Sequence, residues 1–314
     1  MIQPSNCLQI SYSSGGTFDS CARKFEFRKI YPRRKQAQDS LPAAVGQALH
    51  HGFQTYLSTQ SEDKAYWALL EKYPYELEYT AHDDKRSLEA AVSTLDAMLA
   101  YGEMDEWELL KIQKPDGTVV PAIEVPFELI LKGINLPDGR GLSVIGYMDA
   151  GMRNLVTDAK RTLDIKTHRS TLRNADPKYR FDNQQTPYGI VIQHVTQEPV
   201  DDFEVLYLDC FVDLVEPRVQ LYPYHRDSVD IQEWLANTVL RGQRIQRAME
   251  MDYFPRTDNG CLNFNQPCQY LEVCQTRDKE AILEYMLMGE EPAPAETFEP
   301  WIQAEIDVFG ETDG

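Results

Sequence analysis

Between residues 119 and 224 the hydrophobic pattern has a period of two. Val144, Gly146 and Met148 alternate with Ile145, Tyr147 and Asp149, and Leu163 and Ile165 alternate with Asp164 and Lys166. A period of two sends successive side chains to opposite faces, so these stretches predict two β-strands, each with an acidic residue on one face. The pattern also predicts a strand over 119–131 feeding this pair, and an outer pair over 203–212 and 218–224, turned at Glu216-Pro217.

Helical spacing takes over on both flanks. A Ser-rich lead, Ser11 to Ser14, precedes a predicted helix over 17–29 with Phe18, Cys21, Ala22 and Phe25 on one face. Pro42 opens a second helix over 43–57, where Val45, Leu49, Phe53 and Leu57 recur on the core face. Two more helices are expected within 62–108, the second striped by Leu88, Ala91, Val92, Leu95, Met98 and Leu99; core packing accounts for that stripe. A helix ends near Thr196, and a long one covers 228–251 and stops at Phe254-Pro255. Strands enclosed by helices predict an α/β architecture with a central mixed sheet.

Neighbouring strands would bring Asp149, Asp164 and Lys166 into one small volume. Two close carboxylates repel unless a hard divalent cation lies between them, and an adjacent lysine can stabilise an attacking hydroxide or a charged phosphorane. Asp-x-Lys is common on solvated strand faces, so the other segments must decide. Gly46 and His50 lie one turn apart on the second helix, where an imidazole could complete a carboxylate-bound metal site; His51 is the competing choice. Gln184 and Tyr188 are four apart and would share a helical face, with Gln185 the neighbouring alternative and Pro187 blurring the helix start.

In this order the motifs resemble the PD-(D/E)xK nuclease superfamily, in the RecB-like branch that carries an iron-sulfur cluster and includes CRISPR-associated and AddB-type nucleases. The signature is Gly-x-x-x-His (Gly46, His50), Asp (Asp149), Asp-x-Lys-Thr (Asp164 to Thr167) and Gln-x-x-x-Tyr (Gln184, Tyr188), with one early cysteine and three late ones. The resemblance implies a restriction-endonuclease-like sheet and catalytic roles for Asp149, Asp164, Lys166, Gln184 and Tyr188. It also implies that His50, Asp149, Asp164 and the Ile165 carbonyl hold one or two Mg2+ or Mn2+ ions. Glu124 falls where relatives often carry an acid, although a solvated strand position is the plainer reading.

Six cysteines are too few and too unevenly spaced for a secreted disulfide scaffold of 314 residues. Cys261, Cys268 and Cys274 fall in a turn-rich segment, and a distant fourth would complete a tetrathiolate site for a [4Fe-4S] cluster or zinc. The resemblance favours the cluster and makes Cys21 the fourth ligand, clasping the two ends of the chain into a cap. Cys261 departs from the common spacing. Cys210 is expected to be buried and structural. A helix-hairpin-helix glycosylase would also hold a cluster, but its Leu-Pro-Gly-Val-Gly hairpin is missing from the sequence.

A formal charge of −19 opposes indiscriminate binding to nucleic acid. Positive charge is concentrated at Arg23, Lys24, Arg28, Lys29, Arg33, Arg34 and Lys35, the expected DNA contact. Residues 289–314 carry no lysine or arginine and read as a flexible acidic tail, leaving 1–288 as a single nuclease domain. No stretch approaches the roughly 18 apolar residues of a membrane span, so a soluble, cytoplasmic location is expected. The function implied is a metal-dependent exonuclease acting on single-stranded DNA or DNA ends in phage or bacterial DNA processing, recombination or repair. The competing class is a binding or assembly module partnering a helicase, a recombinase or a CRISPR adaptation protein, against which intact Asp149, Asp164 and Lys166 argue.

Overall fold

The computed structural model describes residues 6–30, 41–76, 86–102, 106–168, 179–180, 182–197, 202–257, 260–263, 266–276, 278, 280–282, 284 and 298–307. Twelve strands and eight α-helices follow in the described residues: β1 (Cys7–Ile10), α1 (Tyr12–Ser20), α2 (Ala22–Phe25), α3 (Leu41–Thr59), α4 (Glu62–Lys72), α5 (Leu88–Leu99), β2 (Trp107–Leu109), β3 (Lys111–Gln113), β4 (Val119–Pro121), β5 (Ile123–Asn135), β6 (Gly141–Asn154), β7 (Lys160–His168), α6 (Thr186–Thr196), β8 (Asp202–Phe211), β9 (Arg218–Asp227), α7 (Ser228–Glu250), β10 (Leu262–Asn263), β11 (Gln266–Pro267), α8 (Leu271–Thr276) and β12 (Ile302–Asp307). The architecture is mixed α/β. The chain forms two interleaved compact units, one from 38–125 with 147–234 and the other from 2–37, 126–146 and 235–314.

In the first unit β2 runs antiparallel to β6, β6 antiparallel to β7, β7 parallel to β8 and β8 antiparallel to β9. The stripes of α3, α4 and α5 (Val45, Leu49, Phe53, Leu69, Leu95, Met98) bury one face of these strands, packing with Ala150, Leu163, Ile165, Leu206 and Leu208. The opposite face is more aromatic, with Tyr179 stacked on Tyr207 at 4.5 Å between ring centres. Serine caps set the helix starts: Ser61 accepts from the Lys64 N–H and Ser87 from the Ala90 N–H.

The sequence expectation for 119–131 needs correction. Val119–Pro121 leaves the sheet to form a hairpin with Lys111–Gln113, and the sheet strand starts at Ile123. Glu124, with φ of 47°, lies in the left-handed region that non-glycine residues seldom occupy.

In the second unit β1 pairs in parallel with the start of β6, and β12 pairs in parallel with β5 from Ile302↔Phe127 to Asp307↔Lys132. Residues 302–307 therefore depart from the expected acidic tail: their alternation of Ile302, Ala304 and Ile306 with polar residues is that of a strand. Residues 289–297 and 308–314 lie outside the described ones. A buried carboxylate on β5 ties it to three other strands here. Glu128 accepts from Ser143 Oγ at 2.7 Å and Gln9 Nε2 at 3.3 Å through one oxygen, and from Gln303 Nε2 at 2.8 Å through the other.

The predicted helix over 17–29 is broken. Ser11 and Ser14 form a reciprocal capping box at the start of α1, but Cys21 is extended (φ −161°, ψ 106°), and the chain resumes as α2 followed by a π-helical turn, Glu26–Ile30. Arg23 N–H donates to Pro255 O instead of to a helical carbonyl.

Replacing Glu128 by alanine strands three donors, one buried on Ser143 and two half-buried on Gln9 and Gln303. Hydrogen bonds to charged groups contribute about 1.5–3 kcal/mol each, so Glu128→Ala should lower the urea midpoint by the equivalent of about 2 kcal/mol or more. A midpoint unchanged from wild type would rule out this carboxylate as a tie between the strands.

Candidate active site

Antiparallel pairing of β6 with β7 sets the register of the site. Ala150 faces Leu163 on the core side, so Asp149 and Asp164, one residue further on each strand, turn to the opposite side. Asp164 is fully buried, with 0% of its surface accessible. Lys166, two residues along β7, places its ammonium 2.6 Å from Asp164 Oδ2 and donates to Gln184 Oε1 at 2.9 Å. The Ile165 N–H donates to Asp149 Oδ2 at 3.2 Å.

Helix α3 brings in His50, and Gly46 permits the approach. A β-carbon at position 46 would lie 2.7 Å from Thr167 Oγ1, closer than real β-carbons come to their neighbours. One turn later His50 Nδ1 stands 3.8 Å from Asp149 Oδ2, and the ring is within hydrogen-bonding range of the Ile165 backbone. A further turn on, Gln54 Nε2 donates to Glu124 Oε1 at 2.6 Å. Glu124 is exposed, as the plainer reading of the sequence has it, yet its charge acts on both Asp149 and His50.

Gln184 and Tyr188 do not share a helical face. α6 starts at Thr186 with Pro187 in its first turn, where the missing N–H of proline costs no hydrogen bond, so Gln184 lies ahead of the helix. Both residues still reach the cluster: Gln184 through Lys166, and Tyr188, which is buried, by donating from its hydroxyl to Tyr147 O at 3.0 Å. Gln185 turns the other way and accepts from Thr162 Oγ1 at 2.7 Å. The sequence pattern also missed Arg226, 3% exposed, whose guanidinium donates to Tyr179 O at 3.0 Å and Asp182 O at 3.1 Å. Asp182 Oδ1 accepts from the Gln184 N–H at 2.9 Å, so Arg226 fixes the segment that orients Lys166.

The electrostatics follow from burial. Desolvation first, and then Glu124, raise the Asp149 carboxyl to about 7. Desolvation and then Asp149 raise Asp164 to about 7. Burial lowers His50 against the pull of Asp164 and Glu124, which favours the neutral imidazole. Burial also opposes charge on Lys166, but Asp164 and Asp149 outweigh it and hold the ammonium above its ordinary range. Lys166 is therefore a cation and a donor here.

The donor set fits a hard divalent cation: two carboxylates, a neutral imidazole and a peptide carbonyl, with Asp164 Oδ1 buried and without a hydrogen-bond partner. Asp164 Oδ2 meets Lys166 as an ion pair without hydrogen-bond alignment. Among the described residues no three His, Cys, Asp or Glu side chains already stand close enough to share an ion.

The profile of the PD-(D/E)XK nuclease superfamily matches residues 9–275. The chain belongs to this superfamily. Among solved structures, a candidate exonuclease from Eubacterium rectale is similar at 14% identity, over 87% of this chain and 98% of its own, with a TM-score of 0.48. The structure named SSO0001 is similar at 14% identity, over 77% of this chain and 90% of its own, with a TM-score of 0.29. No curated protein matches this nuclease chain. No helix among its described residues is long and apolar enough to cross a membrane.

The remaining expected site residues lie in the second unit. Arg23 is engaged internally: it pairs with Glu26 at 3.2 Å and donates to Phe254 O at 2.9 Å. Lys24 and Arg28 are half-buried, and Arg33 and Arg34 fall outside the described residues. All six cysteines are among the described residues, and none forms a disulfide. Cys21 is buried so close to Gly260 that a β-carbon there would lie 2.5 Å from its own, and Cys268 N–H donates to Cys261 O at 2.8 Å. Cys268 and Cys274 pack on Phe27, Tyr270 and Val273. Cys210 is buried on β8.

Two outcomes are expected in metal-free buffer. Gly46→Ala should push α3 from β7 and lower stability by about 1–3 kcal/mol, the usual cost of overpacking, and Thr167→Ala should relieve much of that loss in the double variant; simple additivity in urea unfolding would exclude the contact. Both carboxyl pKa values are raised in the folded state, so their contribution to stability is complete below about 4 and is lost as pH rises through about 7. Asp164→Asn should therefore be more stable than wild type at pH 8, and show less of an advantage at pH 5, in thermal melts with a chelator present.

Proposed function

We propose that this nuclease is a metal-dependent DNA exonuclease of the RecB-like branch, acting on single-stranded DNA or DNA ends. The observation that carries the hydrolytic reading is the meeting of Asp149, Asp164, Lys166 and His50 at one end of the β6–β7 pair. The exonuclease assignment rests on the order of the motifs in the sequence. Asp149, Asp164, His50 and the Ile165 carbonyl would hold Mg2+ or Mn2+, ions that the superfamily generally uses. When bound, such an ion supplies Lewis-acid stabilisation of the charge that develops during phosphodiester hydrolysis.

The chain's own groups supply positioning and a fixed positive charge. Of the three N–H donors on Lys166, one faces Asp164 and one meets Gln184, which leaves one for the attacking water or a phosphate oxygen. Water adds to phosphorus in line as the bridging oxygen leaves and takes up a proton, giving a phosphate monoester and a free hydroxyl. Lys166 stabilises the oxygens that gain charge in that step, and Gln184 holds the ammonium in place. Neutral His50, with Nδ1 3.8 Å from Asp149 Oδ2, stands beside Asp149 as a further donor. Tyr188 fixes β6 through the Tyr147 carbonyl and so holds Asp149 against the strand.

We further infer that Cys21, Cys261, Cys268 and Cys274 bind a [4Fe-4S] cluster, with zinc as the lesser candidate. Four cysteines outside any disulfide in one compact unit support this, with Cys21 against Gly260 and Cys268 tied by its backbone to Cys261. The setting we propose is cytoplasmic DNA processing, including that of a phage in its host, alongside a helicase, a recombinase or a CRISPR adaptation protein.

End-labelled linear and closed circular single-stranded DNA test the reading. Linear DNA should be degraded with Mg2+ or Mn2+ and spared with a chelator, circular DNA should persist, and Lys166→Ala should lower the rate on the order of a hundredfold or more. Equal rates for wild type and Lys166→Ala would remove the catalytic assignment, and digestion of the circle would remove the exonuclease one. For the cluster, anaerobically purified protein should absorb near 400 nm, and Cys21→Ala and Cys274→Ala should lose iron and stability together. Full iron occupancy in either variant would overturn that ligand set.

A further inference from the structure

Tyr147 stands out on the site's own face. It lies two residues before Asp149 on β6, and the burial pattern alternates through this stretch, so Met148 and Ala150 point into the core while Tyr147 and Asp149 share the outer side. More than half of Tyr147, 52%, is accessible, whereas Asp164 beside the same cluster is closed to solvent. The strand that carries the ring is held in place, because Tyr188, buried in α6, donates its hydroxyl to the Tyr147 carbonyl. This is a large, half-exposed aromatic ring on a fixed support, one same-face step along the strand from a carboxylate of the proposed reaction centre.

The charge balance gives such a ring a task. A chain of net charge −19 must hold a polyanion at a place that already gathers Asp149, Asp164 and Glu124. Beyond a bound divalent cation, phosphate contacts are few there, since among the described groups of the cluster only Lys166 carries positive charge. Stacking of a base on an aromatic face needs no charge on the protein and tolerates every base. It also requires the base to be unpaired and turned out of a helix. Along a strand, side chains two residues apart are separated by about 6.6 Å. That is the scale of the distance between a phosphate and the base on its own sugar, so a phosphate near Asp149 would bring a base over Tyr147.

We propose that the Tyr147 ring is a stacking platform for the nucleobase next to the scissile phosphate, and that it makes unpaired nucleotides the preferred substrate of this site. The inference rests on the nuclease reading but is measured by binding. Full-length Lys166→Ala protein is titrated with single-stranded oligonucleotides carrying 2-aminopurine at either end, with Mg2+ present. The fluorophore should be quenched on binding at one of the two ends. Adding Tyr147→Ala should abolish the quenching and weaken binding about tenfold, while Tyr147→Phe and Tyr147→Trp should preserve both. An abasic residue in place of that terminal base should cost the Tyr147 protein the same factor and cost the Tyr147→Ala protein nothing more.

Unchanged quenching and affinity in Tyr147→Ala would overturn the proposal. So would an abasic penalty that persists in Tyr147→Ala, or a loss in Tyr147→Phe equal to that in Tyr147→Ala, which would assign the effect to the hydroxyl or to misfolding. A failure of the catalytic reading shows elsewhere, as cleavage that Lys166→Ala leaves unchanged.

Discussion

Two carboxylates turned to the same side of adjacent antiparallel strands impose the constraint on which the site depends. Asp149 and Asp164 lie next to the paired Ala150 and Leu163 on their two strands, and Asp164 is closed to solvent, so their mutual repulsion is only weakly screened by water. Desolvation and repulsion together carry both carboxyls to about 7. A polypeptide can relieve this by protonation, by a fixed cation or by an added one. Lys166 supplies the fixed cation, but one ammonium cannot balance Asp149, Asp164 and Glu124. The arrangement is therefore unfavourable by itself near neutral pH, which is what a site that takes up a divalent cation requires.

Supporting contacts keep that arrangement in place. Gly46 lets α3 pack against Thr167, which brings His50 within reach of Asp149. Arg226, sealed among carbonyl groups, holds the turn from which Gln184 reaches Lys166. None of these contacts touches a reacting atom, yet each fixes the direction of one that would. Placing the charged groups on strands and packed helices limits the movement by which mutual repulsion could otherwise spread them apart.

What the sequence made legible was local and periodic. A two-residue period is enough to put Asp149 on one strand face and Asp164 with Lys166 on another, and a four-residue interval puts Gly46 under His50. The choice between neighbours was less accessible. Gln184 and Gln185 differ by one position in the motif, and only the turn ahead of Pro187 sends one to Lys166 and the other to Thr162. Glu124 was marked only by the resemblance, since its left-handed backbone has no signature in the pattern of side chains, and Arg226 gave no signal, because a set of carbonyl acceptors leaves no regular pattern. The strand Ile302–Asp307 did have its alternation, but an acidic segment without lysine or arginine pointed to a tail. There the neutral amide of Gln303 reaching Glu128, together with the Glu305–Lys132 ion pair, marks the docked strand.

Charge finally bears on how an acidic protein meets an acidic polymer. Strong general attraction would hold any nucleic acid anywhere along the surface, whereas a chain of net charge −19 repels the polymer except where particular groups offset that repulsion. Binding then depends on short-range contacts made in register with the reaction centre. On the reading proposed above, a half-buried ammonium would meet one phosphate at close quarters, and an aromatic ring would meet a base only after it has left its partner. Such contacts gain little from duplex DNA away from an end, because its bases are already stacked and its phosphates are kept at the distance set by the helix. On that same reading, the acidic surface and the half-buried Lys166 would act together in favouring a loose strand fed to the site over a duplex bound along its length.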